Sequence, residues 1–195
     1  MAVDKENTTQ HLLAAAVNRL LLSIGELPIE DVSDIDAIIE ARLARDALLE
    51  TKMAVLSIGW DINTDDDYEL HTDENGYITV STAMLDVNVP DSSIVIRDWQ
   101  LYDKEKKSRK FTSSVTATIK WNLDFNSLPH AFRHYITIMA SRIFQGRLIG
   151  DKTVYSFTQA DEQKALLLLK RTDGFTGQYN MLSTGNFGTS INVLG

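Results

Sequence analysis

His130 and His134 stand four residues apart in SLPHAFRHYITIMASRIFQGRLIG, residues 127–150. On a helix that spacing puts both imidazoles on one face, as in a two-histidine metal site. The run is HAFRH, however, and lacks the glutamate that a zinc protease carries directly after the first histidine. Both histidines fall on the polar side of the helix, where they read as solvated side chains or as donors at an interface. A second candidate is the acidic stretch 61–74, DINTDDDYELHTDE. It begins like a calcium loop, with Asp61, Asn63 and Asp65 at alternate positions. It then departs from one, because Asp66 stands where the loop needs glycine and Thr72 where it needs glutamate, so a solvated acidic turn is expected.

Other chemistries are absent from the sequence. Without cysteine there is no disulfide framework, thiol nucleophile or thiolate zinc site. No GxSxG, phosphate-binding P-loop or GxGxxG after a strand occurs, and Gly174–Gly177 reads as a loop. With 27 acidic residues, carboxylate pairs are expected by chance. A pair on loops of the β region could still serve as the acid and base of a small hydrolase acting on bacterial envelope polysaccharide. Lys104, Lys106, Lys107, Arg109 and Lys110 form a basic run interrupted by Glu105. No aromatic-studded strand surrounds it, so a tip touching a charged partner is a better reading than a nucleic-acid site.

The elements that must carry these residues follow from periodicity. Leu13, Val17, Leu20 and Ile24 predict a first helix, capped by Thr8 or Thr9 and stopped by Gly25. Ser33 is expected to cap a long second helix reaching about residue 57, with Gly59 as its stop. Its apolar face would hold Ile35, Ile38, Ile39, Leu49, Met53 and Leu56, with Arg42 and Asp46 in the middle of it. Those two are four apart and can pair at a face bent toward solvent, or one can meet a charge on another helix or subunit. Strands are expected at 60–63, 77–82, 93–97 and 114–121, with weaker ones at 84–89 and 100–102, and Asn75–Gly76 as a tight turn.

Residues 127–150 then form a helix with Ser127 as cap and Pro129 in its first turn. Phe132, Ile136, Met139 and Ile143 make its main stripe, facing its own bundle. Ile138 and Phe144 lie outside the stripe, beside His130, His134 and Arg142, and are expected to face a neighbour. A last helix begins at Asp151 and ends near Gly174. The segment 177–195 is rich in Gly, Ser, Thr and Asn yet carries Phe187, Ile191, Val193 and Leu194, so it reads as an extended arm that orders against something else. The resulting expectation is an α+β fold: a helical bundle of about four helices (1–59 and 122–176) with an inserted antiparallel β-meander (60–121).

The chain has 195 residues, a net charge of −8 and a pI near 4.9, which suits a soluble protein that does not adhere broadly to nucleic acid or anionic membrane. Its polar start, MAVDKENTTQ, predicts no cleaved secretory peptide, and no apolar run approaches the ~20 residues of a membrane span.

Several stretches in order, AAAVNRLLLSIGELPIEDV, SIGWDIN, LPHAFRHYITIMASRIF and GQYNML, resemble the tail tubular protein A family, the adaptor or gatekeeper proteins of short-tailed bacteriophages. The most specific part is LPxxFRxYI…ASRxF, here Leu128, Pro129, Phe132, Arg133, Tyr135, Ile136, Ala140, Ser141, Arg142 and Phe144. Residues 65–120 match only as a β-rich segment of similar length. The resemblance implies a ring of twelve copies in the virion tail, between the portal protein and the nozzle protein (tail tubular protein B). The ring surrounds the channel through which DNA leaves, without sequence-specific binding, and helps hold the tail fibres. It implies synthesis in the host cytoplasm, no membrane contact, and no catalytic residue, cofactor or metal. Arg42, Asp46, Ile138, Arg142, Phe144, Phe187, Ile191, Val193 and Leu194 are the expected contact residues. An acidic wall that lets DNA slide and a helix with two apolar sides, as a heterologous ring interface needs, agree with it.

Overall fold

The computed structural model describes residues 3–31, 33–148 and 152–183, with side chains described for 11–31, 33–148 and 159–174. Helix α1 spans Val3–Ser23. It ends as a Schellman turn: Gly25 takes φ +87°, the Glu26 N–H donates to the Leu21 carbonyl at 3.1 Å and the Gly25 N–H to that of Leu22 at 3.2 Å. Asn18 then clamps the following loop, its amide donating to the Ile29 carbonyl while its oxygen accepts the Ile29 N–H.

The expected long second helix is two. A single turn, α2 (Asp34–Ala37), is separated from α3 (Ile39–Leu56) by Ile38 in an extended conformation, φ −99° and ψ 124°. Ser33 makes no side-chain cap; it donates to Asp31 instead. The buried face of α3 also differs from the expected one. It consists of Ala41, Ala44, Ala47, Leu48, Thr51, Lys52, Val55 and Leu56, whereas Ile38, Ile39 and Met53 are exposed. The predicted stripe followed the largest side chains, but the helix turns its alanines inward because they let neighbouring helices approach closely.

A short 3-10 turn, Asp61–Asn63, leads into strand β1 (Thr64–Leu70), followed by β2 (Met84–Asn88), β3 (Ile94–Arg97), β4 (Gln100–Asp103) and β5 (Val115–Trp121). All pairings are antiparallel, in a three-stranded sheet ordered β1-β5-β2 and a β3-β4 hairpin. The last strand thus lies in the middle, which a plain meander would not give. Residues 77–82, expected as a strand, contribute only isolated bridges, Tyr77 to Lys110 and Thr79 to Gln100. The Asn75–Gly76 turn is present, with Gly76 at φ +84° and Asp73 accepting the N–H groups of Asn75 and Tyr77.

A second 3-10 turn, Phe125–Ser127, is capped by Asp124. Helix α4 (His130–Leu148) starts directly after Pro129, whose carbonyl accepts from Phe132 and Arg133. Ser127 therefore belongs to the preceding turn; Gly146, one of two stops expected from the sequence, lies inside the helix, and the other, Gly150, lies outside the described residues. Helix α5 runs Lys152–Ser183, through Gly174 and Gly177. Its expected end near Gly174 is corrected: residues 177–183 continue the helix. Helices α1, α3, α4 and α5 pack around Leu20, Leu48, Phe132, Ile136 and Leu169, all fully buried. A smaller apolar cluster of Leu70, Ile78, Val80, Leu101, Ala117 and Ile119 holds the strands. The α+β class is as expected.

Asn63 joins the two clusters. Its buried amide donates to the carbonyls of Leu56 and Trp121 at 3.0 Å each, and its oxygen accepts the Trp60 N–H. Gly59 has φ +85°, a left-handed backbone that favours glycine, with the Lys120 side chain beside it.

Candidate functional site

The residues that might have done chemistry do not converge. The His130 and His134 rings stack with centroids 5.7 Å apart and planes 12° from parallel. Burial, then Arg19 and His130, hold the His134 imidazole below its ordinary pKa of 6.5. Among the described residues, no group of three or more His, Cys, Asp or Glu is placed to hold a metal ion. Most of the acidic stretch is not a turn: residues 64–70 form strand β1, whose register with β5 is interrupted by an irregularity between Asp65 and Tyr68, with Asp67 at φ +55°. Asp65 accepts the Trp121 indole N–H at 2.6 Å and Asp66 the Thr118 hydroxyl at 3.0 Å. The strand signal was thin, since TDDDYEL lacks apolar alternation and its three aspartates favour a turn, and its partner strand β5 supplies the pairing.

The expected contact residues divide. Arg42 and Asp46 lie on the exposed face of α3, so the apparent charge inside an apolar stripe disappears. Asp46 pairs with Arg45, at 3.2 Å, and Arg45 also reaches back to Asp36 on α2. Around them Ile39 and Leu43 are exposed, and Ile39 is corrected from the buried face expected for it. Phe144 is corrected. It is 3% exposed and packed in its own bundle, because α4 is covered over a wider arc than one stripe. Ile138 is half-buried and lines a groove of about 520 Å³ between α1, α4 and α5, with Arg19, His134, Ser141, Asp161 and Leu168. Arg142 ion-pairs with Glu162 across α4 and α5. Phe187, Ile191, Val193 and Leu194 lie outside the described residues.

The basic run forms a tight excursion after β4. Asp103, buried, accepts the N–H groups of Lys106 and Glu105 at 2.9 Å, and the Lys106 ammonium lies 3.1 Å away. Those contacts hold its carboxyl below the usual carboxylate range. Asp103 thereby fixes the turn that displays Lys104 and Lys107. The β3-β4 hairpin closes through only two residues, Asp98 and Trp99, between paired Arg97 and Gln100. Trp99 is 58% exposed. That tip was not singled out from sequence, although two predicted strands two residues apart already marked a hairpin. Beside it, the Arg97 guanidinium lies 4.2 Å from the Tyr102 ring centroid, and Arg109 pairs with Asp98.

No helix of the described residues is long and apolar enough to cross a membrane. A family model described as "Tube: Tail tubular protein" matches residues 14–179. Tail tubular protein A of Klebsiella phage KP34 is 29% identical over 158 residues, covering 80% of this chain and 83% of that relative.

Proposed function

The chain belongs to the tail tubular protein family, and on that premise we propose that it forms the adaptor ring of a phage tail. A structural role in the virion tail follows from the family. In the ring, twelve copies join the portal protein to the nozzle protein and line the DNA exit channel. The observation that carries it is the extent of the match, which runs from within α1 to within α5 and takes in every strand. The charge of −8 supports it, since an acidic wall repels the phosphate backbone and lets DNA pass without sequence-specific binding.

In this reading the protein needs no catalytic residue, cofactor or metal. Arg42 and Asp46, with Ile39 and Leu43 beside them, form one bundle surface for a neighbouring subunit or tail protein. Ile138, in the groove between α1, α4 and α5, forms a second, with Arg142 on the same helix. A heterologous ring needs two such different surfaces. Phe187, Ile191, Val193 and Leu194 supply an apolar arm, and the tail fibres attach to the assembled ring. The protein is made in the host cytoplasm and ends in the virion tail. Electron microscopy of the full chain mixed with the portal and nozzle proteins of the same phage tests this. Rings seated on the portal are expected, and a chain that stays monomeric with both partners would contradict it.

A further inference from the structure

The β3-β4 hairpin and the loop that follows it hold a feature that the fold does not need. Asp98 and Trp99 both have positive φ, +52° and +62°. Two such residues in a two-residue hairpin loop form the turn that favours Asn-Gly or Asp-Gly. Tryptophan there is strained, because a bulky side chain clashes with the backbone in the left-handed region. Its ring stays largely in solvent and makes no ring contact or indole hydrogen bond among the described residues. Its backbone carbonyl accepts the Val80 N–H at 2.7 Å, which any residue would do. Strain held for an exposed aromatic points to a contact made outside the chain.

The surroundings say what kind of contact. Residues 97–110 hold six basic and three acidic side chains, a net +3 within a chain of −8, so the rest of the chain holds −11. Lys104 and Lys107 are exposed and make no ion pair among the described residues. Exposed Ile96 adds an apolar edge beside Trp99. A tryptophan flanked by arginines is the composition of an interface anchor. The opposite surface exists on the same molecule. Strand β1 is at the edge of its sheet, paired only with β5, and Asp65, Asp66, Asp67 and Glu69 along it are exposed.

We propose that Trp99 and the basic loop 104–110 of one copy dock against the acidic β1 edge of a second copy. The contact is heterologous, so it can repeat around a ring. It rests on the reading that copies of this chain associate, and it names the surfaces that do so.

The test is sedimentation of the full chain, with and without portal protein, in low and in high salt. Trp99→Gly restores the favoured Asp-Gly turn, so it is expected to raise the melting temperature by about 2–4 °C while weakening self-association about tenfold. Lys104→Glu/Lys107→Glu and Asp66→Lys/Glu69→Lys should each abolish assembly alone and restore it when mixed. Failure of the mixture to assemble, or assembly by Trp99→Gly as tight as wild type, would overturn the proposal while leaving the ring intact. Wild-type chain that never associates would overturn the ring reading as well. Binding of a short DNA duplex that is lost in Lys104→Glu/Lys107→Glu, with self-association unchanged, would assign the loop to nucleic acid instead.

Discussion

The helical bundle packs through small residues around a deep apolar core, and the β-rich insertion has a small core beside exposed aromatic and charged side chains. In the bundle, Ala14, Ala16, Ala41, Ala44, Ala47, Ala131 and Ala140 are buried, bringing helices close around Phe132 and Ile136. In the insertion, six residues make the whole buried cluster, and Tyr68, Ile96 and Trp99 are left exposed beside runs of Asp and Lys. The bundle has the depth to hold a shape under load. The insertion can carry a strained turn and unpaired charges because Asn63 and Lys120 fasten it to α3, Lys120 donating to the Ser57 carbonyl at 3.2 Å. Deep packing thus lies in the bundle, and the strained turn and unpaired charges lie in the insertion.

That division can be broken first in the bundle. Phe132 is fully buried and meets Trp60 edge-on at 5.5 Å, so Phe132→Ala should cost about 3–5 kcal/mol in urea unfolding. Leu101→Ala, at the centre of the smaller cluster, should cost about 2–4 kcal/mol. Hydrogen exchange should then accelerate in β4 and β5 and leave the buried turns of α4 unchanged. Equal acceleration in α4 would mean that the two parts unfold as one unit. Asn63→Ala should cost about 1–3 kcal/mol by leaving the buried Trp60 N–H and the Leu56 and Trp121 carbonyls short of a partner. It should also separate the unfolding of strands and helices, which fluorescence and circular dichroism would report as two midpoints.

The smallest expected effect is titration of His134. Its folded pKa is lowered, so the unfolded chain takes up the proton first. The stability it contributes is complete above pH 6.5 and is lost as pH falls from 6.5 toward the folded value. Arg19 on α1, His130 on α4, and Asp161 and Lys164 on α5 face the same groove or its rim. His134→Gln should melt about 1–2 °C closer to, or above, wild type in acid than at neutral pH. A difference independent of pH would show that His134 does not titrate in this window.

The sequence carries the bundle better than it carries the insertion. The stop of α1 at Gly25, a helix start within a few residues of Pro129 and the stripe of Phe132 and Ile136 were legible because glycine, proline and helical periodicity act locally. The face of α3 was not, because close approach of helices rewards alanine and that reward depends on the partner helices. The break at Ile38 had no local marker, since neither proline nor glycine is near it. Strand β1 was hidden by its charges, and its conformation comes from pairing with β5, about fifty residues on. Phe144 was misassigned because a helix covered by three others buries a wider arc than one stripe. The stacking of His130 and His134 follows from their spacing of four on α4, which puts both rings on one face.

Hydrogen exchange on the full chain, free and assembled on portal protein, tests the division of roles most directly. Amides of residues 96–110 and of β1 should slow on assembly, while those of α4 around Phe132 and Ile136 exchange as slowly in both states. Unchanged exchange in β1 and residues 96–110, with slowing confined to the helices, would contradict it.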